Sequence, residues 1–363
     1  MSGVTQGNAA KGAHRIAVIP GDGIGPEVTA EAVKVLRAVA PVMRRPVELQ
    51  EFDWGAERWL RDGTTLPKGA MEELRDGYSA ILFGALGDPR VPEQVHARDI
   101  LLGLRFQLDL YINLRPVELL DERLTPLKGK RVSDIDMLVF RENTEGLYAG
   151  VGGNFKKGTA DEIAINEDIN TRKGVERILR AAFEAARGRR KKVCMSDKAN
   201  ALTYAHGLWQ RTFAELKKEY ADVEATHLYV DVAAMEMVRA PERFDVLVTS
   251  NMFGDILTDL GAAIVGGLGL AASGNIHPGR CSLFEPVHGS APDIAGKGLA
   301  NPLGAISSMA MMLEHIGEGA AAARVQAAVA RVVTDGAVTR DLGGMLSTPA
   351  CGDRVADAVG KAA

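Results

Sequence analysis

The sequence predicts an α/β protein of two domains, each built on largely parallel sheet. Three observations predict it. Short apolar, β-branched runs alternate with helical patterns along the chain, which is the rhythm of β–α units. The 363 residues exceed what one hydrophobic core usually supports. The first strand pattern enters a glycine-rich turn and then a helix. That turn, Gly21-Asp22-Gly23-Ile24-Gly25-Pro26, departs from G-x-G-x-x-G because position 26 is Pro. A dinucleotide fingerprint, and with it a true Rossmann fold, is therefore not expected.

Hydrophobic residues make up 46%, charged residues 25%, and the net charge is −4. No basic field for nucleic acid follows from that balance. Cys194, Cys281 and Cys351 have no metal or disulfide spacing, which fits a reducing cytoplasm. Met1–His14 is small and polar and is expected to fray. The apolar stretch Gly261–Ala272 is too short and glycine-rich to span a bilayer.

Taken in order, Arg15–Pro20 reads as a strand, and a helix follows the turn through Ala40. A strand, turn and helix N-terminus of this kind either receives an anion on its N–H groups or is only a tight connection. Val47–Phe52 is a strand, Ala56–Asp62 and Pro67–Asp76 are helices, and Tyr78–Gly84 is a strand. After the loop 84–95, a helix is expected over Arg98–Gln107 and a strand over Tyr111–Pro116, ending at the proline. Met137–Phe140 is the next strand. The glycines from Gly150 to Gly158 read as a loose or hairpin-like stretch before a short strand, Ile163–Asn166.

Arg172–Arg187 reads as a helix with Val175, Ile178, Leu179, Ala182, Phe183 and Ala186 on one face and Gly188 as its stop. The basic run Arg187–Lys192 is read as cations at a helix C-terminus rather than a nucleic-acid patch, since no aromatics interleave. A strand from Lys191 to Ser196, a helix over Tyr204–Glu219 and a strand over Ala225–Val230 follow. Phe244–Thr249 is a buried strand, Asn251–Gly254 a turn, and Asp255 begins a helix with Ile256, Leu260, Ala263 and Ile264 on one face. Helices over Asn301–Ile316 and Ala320–Val333 and a short tail, Arg354–Lys361, complete the chain. The methionines of the first of these read as core.

Asp255 and Asp259 lie four apart, one above the other on a helix. Stacked carboxylates repel unless a cation lies between them, and oxygen ligands suit Mg²⁺ or Mn²⁺. The competing reading is an acid at a helix N-terminus and a solvated neighbour. Arg105, Arg115 and Arg141 stand at element ends and either converge on a polycarboxylate or make separate ion pairs. Lys198 and Asp231 each end a strand pattern, where chemistry gathers in α/β sheets.

Six motifs carry a resemblance over Arg15 to about Val359. They are Gly21–Glu27, Asn113-Leu114-Arg115-Pro116, Arg141-Glu142-Asn143-Thr144-Glu145-Gly146, Asp197-Lys198-Ala199-Asn200, and the pair Ser250–Asp259 and Phe284–Lys297. With these the chain resembles the β-decarboxylating dehydrogenases that include isopropylmalate, isocitrate, homoisocitrate and tartrate/D-malate enzymes. The resemblance implies a two-domain isopropylmalate dehydrogenase-like fold. A cofactor-binding domain of 1–112 and 267–363 would carry an inserted substrate and dimerisation domain, 113–266. It also implies a homodimer with shared active sites, Lys198 and Asp231 entering the partner's site, and the hairpin region near 150–166 contacting the mate.

By the same resemblance, Arg105, Arg115 and Arg141 clamp a malate-type dicarboxylate, and Asp231, Asp255 and Asp259 hold Mg²⁺ or Mn²⁺. Lys198 is the base and Tyr148 the acid, with Glu142 a helper. Asp293 matches the position that binds the adenosine ribose. A carboxylate there accepts from both ribose hydroxyls and repels a 2′-phosphate, so NAD is expected. His288, Gly289, Ser290, Ala291, Ile294 and Asn301 line that site. Leu101 and Leu102 match the pocket that isopropylmalate relatives use for the isopropyl group. Burying three carbons is worth about 2–2.5 kcal/mol. The expected reaction is oxidative decarboxylation of 3-isopropylmalate to 4-methyl-2-oxopentanoate and CO₂, a leucine-biosynthesis step. Two departures keep a tartrate/D-malate-type enzyme, or another 2-alkylmalate or isocitrate-like member of the family, as the alternative. Arg98 stands where isopropylmalate relatives often carry Glu, and the Arg141–Gly146 stretch is closer to isocitrate and tartrate relatives.

Overall fold

A computed structural model describes residues 12–361. Residues 1–11, most of the stretch expected to fray, lie outside it. His14, the end of that stretch, is an ordered strand residue, 3% exposed and bonded through Nε2 to Glu318 at 3.1 Å. The described chain divides into two compact units. One comprises 111–117 and 133–261; the other comprises residues up to 110, 118–132 and 262 onward.

In the unit that contains the first strand, the strands run in the order Val47–Glu51, His14–Gly21, Ala80–Ala85, Leu283–Pro286, Ala272–Ile276. The first four pair in parallel, and the last is antiparallel to its neighbour. The His14–Gly21 strand is buried on both faces. Ile16 and Val18 join one core with the Gly25–Val39 and Leu303–His315 helices, while Ala17 and Ile19 join a second with Trp54, Leu74, Ile100 and Leu104. That two-sided burial explains the continuous apolar run in its sequence.

In the other unit the order is Ile112–Glu118, Asp136–Glu142, Val246–Thr249, Lys192–Asp197, Glu224–Tyr229, the first strand belonging to this unit through Val117. The last four are parallel. All six apolar residues expected on one face of the Arg172–Arg187 helix are fully buried, and Phe183 stacks between Phe213 and Tyr220.

Several elements differ from the sequence expectation. The helix expected from Pro67 starts at Ala70. The Arg98–Gln107 helix opens with a wide π turn over Arg98–Leu102 before the regular Gly103–Gln107 turn, while Ile100 and Leu104 stay in the core. The strand at Pro116 does not stop there but runs to Glu118. Gly188 keeps a right-handed backbone, and the positive φ falls on Lys191 instead.

The turn expected at Asn251–Gly254 is already helix, because Gly254 N–H donates to Ser250 O at 2.8 Å and closes the first helical ring. The apolar face of that helix is also displaced. Ile256 is 58% exposed and Ala263 exposed, whereas Leu257, Thr258 and Gly261 are buried. A Cβ on Gly261 would sit 2.7 Å from Val117, so packing selects the glycine face. The Val230–Arg239 helix and the antiparallel pair Ala272–Ile276 and Leu283–Pro286 were not expected. The C-terminal helix begins earlier, at Thr348.

The cations of the basic run 187–192 are largely paired. Arg187 meets Asp222, Arg189 meets Asp136 and Asp245, Arg190 meets Asp136, and Lys192 meets Glu224. Among the described residues no helix is long and apolar enough to cross a membrane.

Candidate active site

Parallel pairing sets one end of the second sheet as a common edge. Arg141 is in register with Thr249, Thr249 with Ser196, and Asp197 with Tyr229. Each strand then turns into a candidate residue: Arg141 and Glu142, the helix carrying Asp255 and Asp259, Lys198, and Asp231 in the first turn of a helix.

Arg141 is the centre of this edge. Its side chain is 1% exposed. Nε donates to Asn251 Oδ1 at 2.9 Å, and Nη1 bonds the Asp255 carboxylate. Room for it comes from Gly254, where a Cβ would lie 2.5 Å from Arg141 Cγ. Arg115 approaches the same helix. It donates to Thr258 Oγ1 at 2.5 Å and lies 3.5 Å from Asp255 and 3.7 Å from Asp259. Tyr148 O–H donates to Asp255 Oδ2 at 2.8 Å, and its ring stands 5.2 Å from the Arg141 guanidinium.

Two arginines and two aspartates thus neutralise one another in a half-buried cluster. Partial burial pushes the Asp259 carboxyl up, opposed by Arg115 and reinforced by Asp255. Such carboxylates suit a hard divalent cation and its accompanying dicarboxylate, because both would replace partners already present.

Glu142 is buried behind Arg141. It accepts from the N–H groups of Thr144 and Glu145 and from the Thr144 hydroxyl. Burial raises its pKa against those bonds. Lys198 Nζ is paired with the Asp231 carboxylate and lies 5.7 Å from the Tyr229 ring. The Lys198 hydrogen bond holds Asp231 below the usual carboxylate range. Among the described residues no three His, Cys, Asp or Glu side chains come together as a metal-ligand group. Asp231 is not grouped with Asp255 and Asp259 among the described residues.

The third arginine belongs to the other unit. Arg105, 8% exposed, donates to Glu285 Oε1 at 3.0 Å, and its buried Nε has no partner among the described residues. Asn275 Nδ2 donates to the same Glu285 oxygen at 2.8 Å. Leu101 and Leu102, on the π turn, are half-buried, and Leu101 packs against the Ile100 and Leu104 core.

In the same unit the 288–291 loop sits on the first turn. Ile24 N–H donates to Ser290 O at 2.8 Å, and a Cβ on Gly23 would lie 2.0 Å from that oxygen. The other turn amides are also used: Asp22 N–H by Ala85 O and Gly25 N–H by Asp22 O. These three bonded amides fit the tight-connection reading of the turn. Buried Asp22 ties it down, accepting from Ala56 N–H at 2.6 Å, Gly87 N–H at 2.9 Å and His96 Nε2 at 2.8 Å.

The 288–301 stretch exposes some of its groups and buries others. His288 Nδ1 is 3.0 Å from Gly289 O, its buried Nε2 has no partner among the described residues, and burial lowers its pKa. Gly289 and Asp293 are exposed, and Ala291 has a φ of 38°. Lys297 reaches the Asp293 backbone oxygen and leaves the carboxylate outward. Ile294 packs on the core. Asn301 turns inward, bonded to Asp341 at 2.9 Å and to Leu303 N–H at 3.0 Å. Sequence reasoning missed Asn251, Thr258, Glu285 and His206 as partners. Only the position of Asn251 beside a strand end signals it.

The chain matches the family described as "Isocitrate/isopropylmalate dehydrogenase" over residues 15–358. It is 53% identical over 348 residues to the 3-isopropylmalate dehydrogenase of Thermobifida fusca, covering 95% of this chain and 97% of that one. The Frankia casuarinae 3-isopropylmalate dehydrogenase is also 53% identical, with 93% and 100% covered. The crystal structure of isocitrate dehydrogenase from Methylococcus capsulatus superposes with a TM-score of 0.86 at 41% identity, covering 96% and 100%.

Proposed function

The chain belongs to the isocitrate/isopropylmalate dehydrogenase family, and from that premise we propose that it oxidises and decarboxylates 3-isopropylmalate with NAD, yielding 4-methyl-2-oxopentanoate, CO₂ and NADH. This would be a step of leucine biosynthesis in the cytoplasm. The observation that carries the reading is the shared cluster of Arg141, Arg115, Asp255 and Tyr148, which joins anion clamp, cation ligand and acid in one bonded group.

Asp255 and Asp259 would hold the cation with Asp231. When bound, Mg²⁺ or Mn²⁺ would supply Lewis-acid polarisation of the substrate's 2-oxygen, and the nicotinamide would accept hydride. Arg115, Arg141 and Arg105 hold the carboxylates, exchanging their present carboxylate partners for those of the substrate. Lys198 takes the proton of the 2-hydroxyl as hydride leaves C2. After the C3 carboxylate departs as CO₂, Tyr148 returns a proton to that carbon. Leu101 and Leu102 take the isopropyl group, where a third carboxylate would be desolvated without a partner. Asp293 accepts from the ribose hydroxyls, and Nε2 of His288 faces the base.

Asp231 and Lys198 are bonded neighbours, so they would reach a site together. The family resemblance supports a homodimer in which the partner supplies both. The hairpin Gly152–Phe155 and Ile163–Asn166 offers apolar surface for that contact, with Phe155 62% and Ile165 51% exposed.

The test is NADH formation with Mg²⁺, comparing kcat/KM for 3-isopropylmalate, D-malate, tartrate and isocitrate. A preference of about 30-fold or more for 3-isopropylmalate over D-malate is expected from the leucine pair. A preference for D-malate or tartrate would assign Leu101 and Leu102 to the core, where Leu101 already makes contact.

A further inference from the structure

We propose that His206 is a positioning residue for Lys198, held by Asp168 as the tautomer with its proton on Nε2. The proposal rests on the reading of Lys198 as the base.

Lys198 lies just past the end of the Lys192–Asp197 strand, where the ladder no longer fixes it. Its carbonyl is fixed by the N–H groups of Ala201 and Leu202, at 2.9 and 2.8 Å. Its own N–H donates to a side chain, Nδ1 of His206, at 2.9 Å. An imidazole nitrogen that accepts carries no proton, so the proton sits on Nε2. Nε2 faces Asp168 Oδ2 at 3.5 Å.

Asp168 is itself anchored. Its Oδ1 accepts from Asn170 Nδ2 at 2.9 Å, and Asn170 Oδ1 accepts from Trp209 Nε1 at 2.8 Å, one turn along the His206 helix. The His206 bond holds the Asp168 carboxyl below its ordinary range. His206 is 1% exposed, and Phe253 meets its ring edge-on at 5.2 Å. Phe253 belongs to the helix that carries Asp255 and Asp259. The imidazole is therefore wedged between the backbone of the base and the helix of the cation ligands. Phe253 and Asp168 fix its plane and proton.

The consequence is a division of labour. Lys198 performs the proton transfer, and His206 sets where its backbone starts. A shift of about 1 Å at the base slows the transfer by one to two orders of magnitude while leaving ground-state binding nearly intact.

The test uses the full chain with His206→Leu, His206→Gln and Asp168→Asn, and Lys198→Ala as control. Gln keeps an acceptor for the Lys198 N–H, and the ≈ 200 Å³ cavity bordered by His206, Asp168 and Phe253 gives it room. Single-turnover hydride transfer, KM for both substrates and thermal melting are measured. His206→Leu is expected to slow turnover about 30-fold with both KM values within about threefold, and Gln to restore most of it. Asp168→Asn is expected to cost about fivefold.

Equal rates for Leu and Gln, or a His206→Leu rate equal to wild type, would overturn the proposal. Should His206→Leu fail to fold, Asp168→Asn decides alone: a slower rate at an unchanged melting temperature supports it, and an unchanged rate overturns it. The control separates the two levels. An active Lys198→Ala protein would remove Lys198 as base, whereas an inactive one beside a fully active His206→Leu would remove only the positioning role.

Discussion

The two units hold their polar groups in opposite ways. In the unit with the Asp255 helix, charged side chains hold one another: Arg141 and Arg115 with Asp255 and Asp259, Lys198 with Asp231. In the other, the buried carboxylate of Asp22 holds the backbone N–H groups of Ala56 and Gly87 together with the His96 side chain, while Asp293 is exposed on the 288–293 stretch. On the function proposed above, the first arrangement would keep these charges neutralised until a ligand exchanges places with them. The second fixes the shape of a loop and lets that loop present hydrogen-bonding groups. Apart from the buried Arg105–Glu285 pair, ion pairs dominate the first arrangement and backbone hydrogen bonds the second.

The largest expected effect breaks the first arrangement. Asp255→Asn removes the carboxylate shared by two arginines and the tyrosine and, on the proposed function, by the cation. kcat/KM for 3-isopropylmalate is expected to fall about 10³-fold. Stability is expected to fall by about 2 kcal/mol in urea unfolding, less than for a fully buried pair because the Asp255 side chain is 37% exposed. Activity within tenfold of wild type would show that the cluster is structural alone.

A smaller effect sharpens the second arrangement. Asp293→Ser removes the charge that opposes a 2′-phosphate. The ratio of kcat/KM for NAD over NADP is expected to drop about 10- to 100-fold, most of it from better use of NADP. Melting should not move, since Asp293 is exposed and its carboxylate holds no structural bond among the described residues.

The smallest effect concerns histidines that burial keeps neutral. Burial lowers the pKa of His14, against its bond to Glu318, and burial also lowers His288 and His315. Folded pKa values below the ordinary 6.5 mean that the unfolded chain binds protons first as pH falls. Stability is therefore full above about pH 6.5 and declines below it, with a drop in melting temperature of about 3–6 °C by pH 5.5. His14→Asn should flatten part of that decline, and an unchanged slope would remove His14 from the account.

The sequence by itself determined the α/β class, because strand and helix periods are local and the six-residue face of the Arg172–Arg187 helix could be read directly. Its motifs also named the charged residues. Tertiary structure decided the rest. The antiparallel pair Ala272–Ile276 and Leu283–Pro286 carries little strand propensity of its own and forms through its ladder. The buried face of the Asp255 helix follows Gly254 and Gly261, which admit Arg141 and Val117, rather than the exposed Ile256. No spacing could announce that Arg141 and Tyr148 meet at Asp255, or that His206 takes the N–H of Lys198. Those contacts join groups far apart in sequence or on different elements, and only strand register and helix packing bring their atoms within bonding distance.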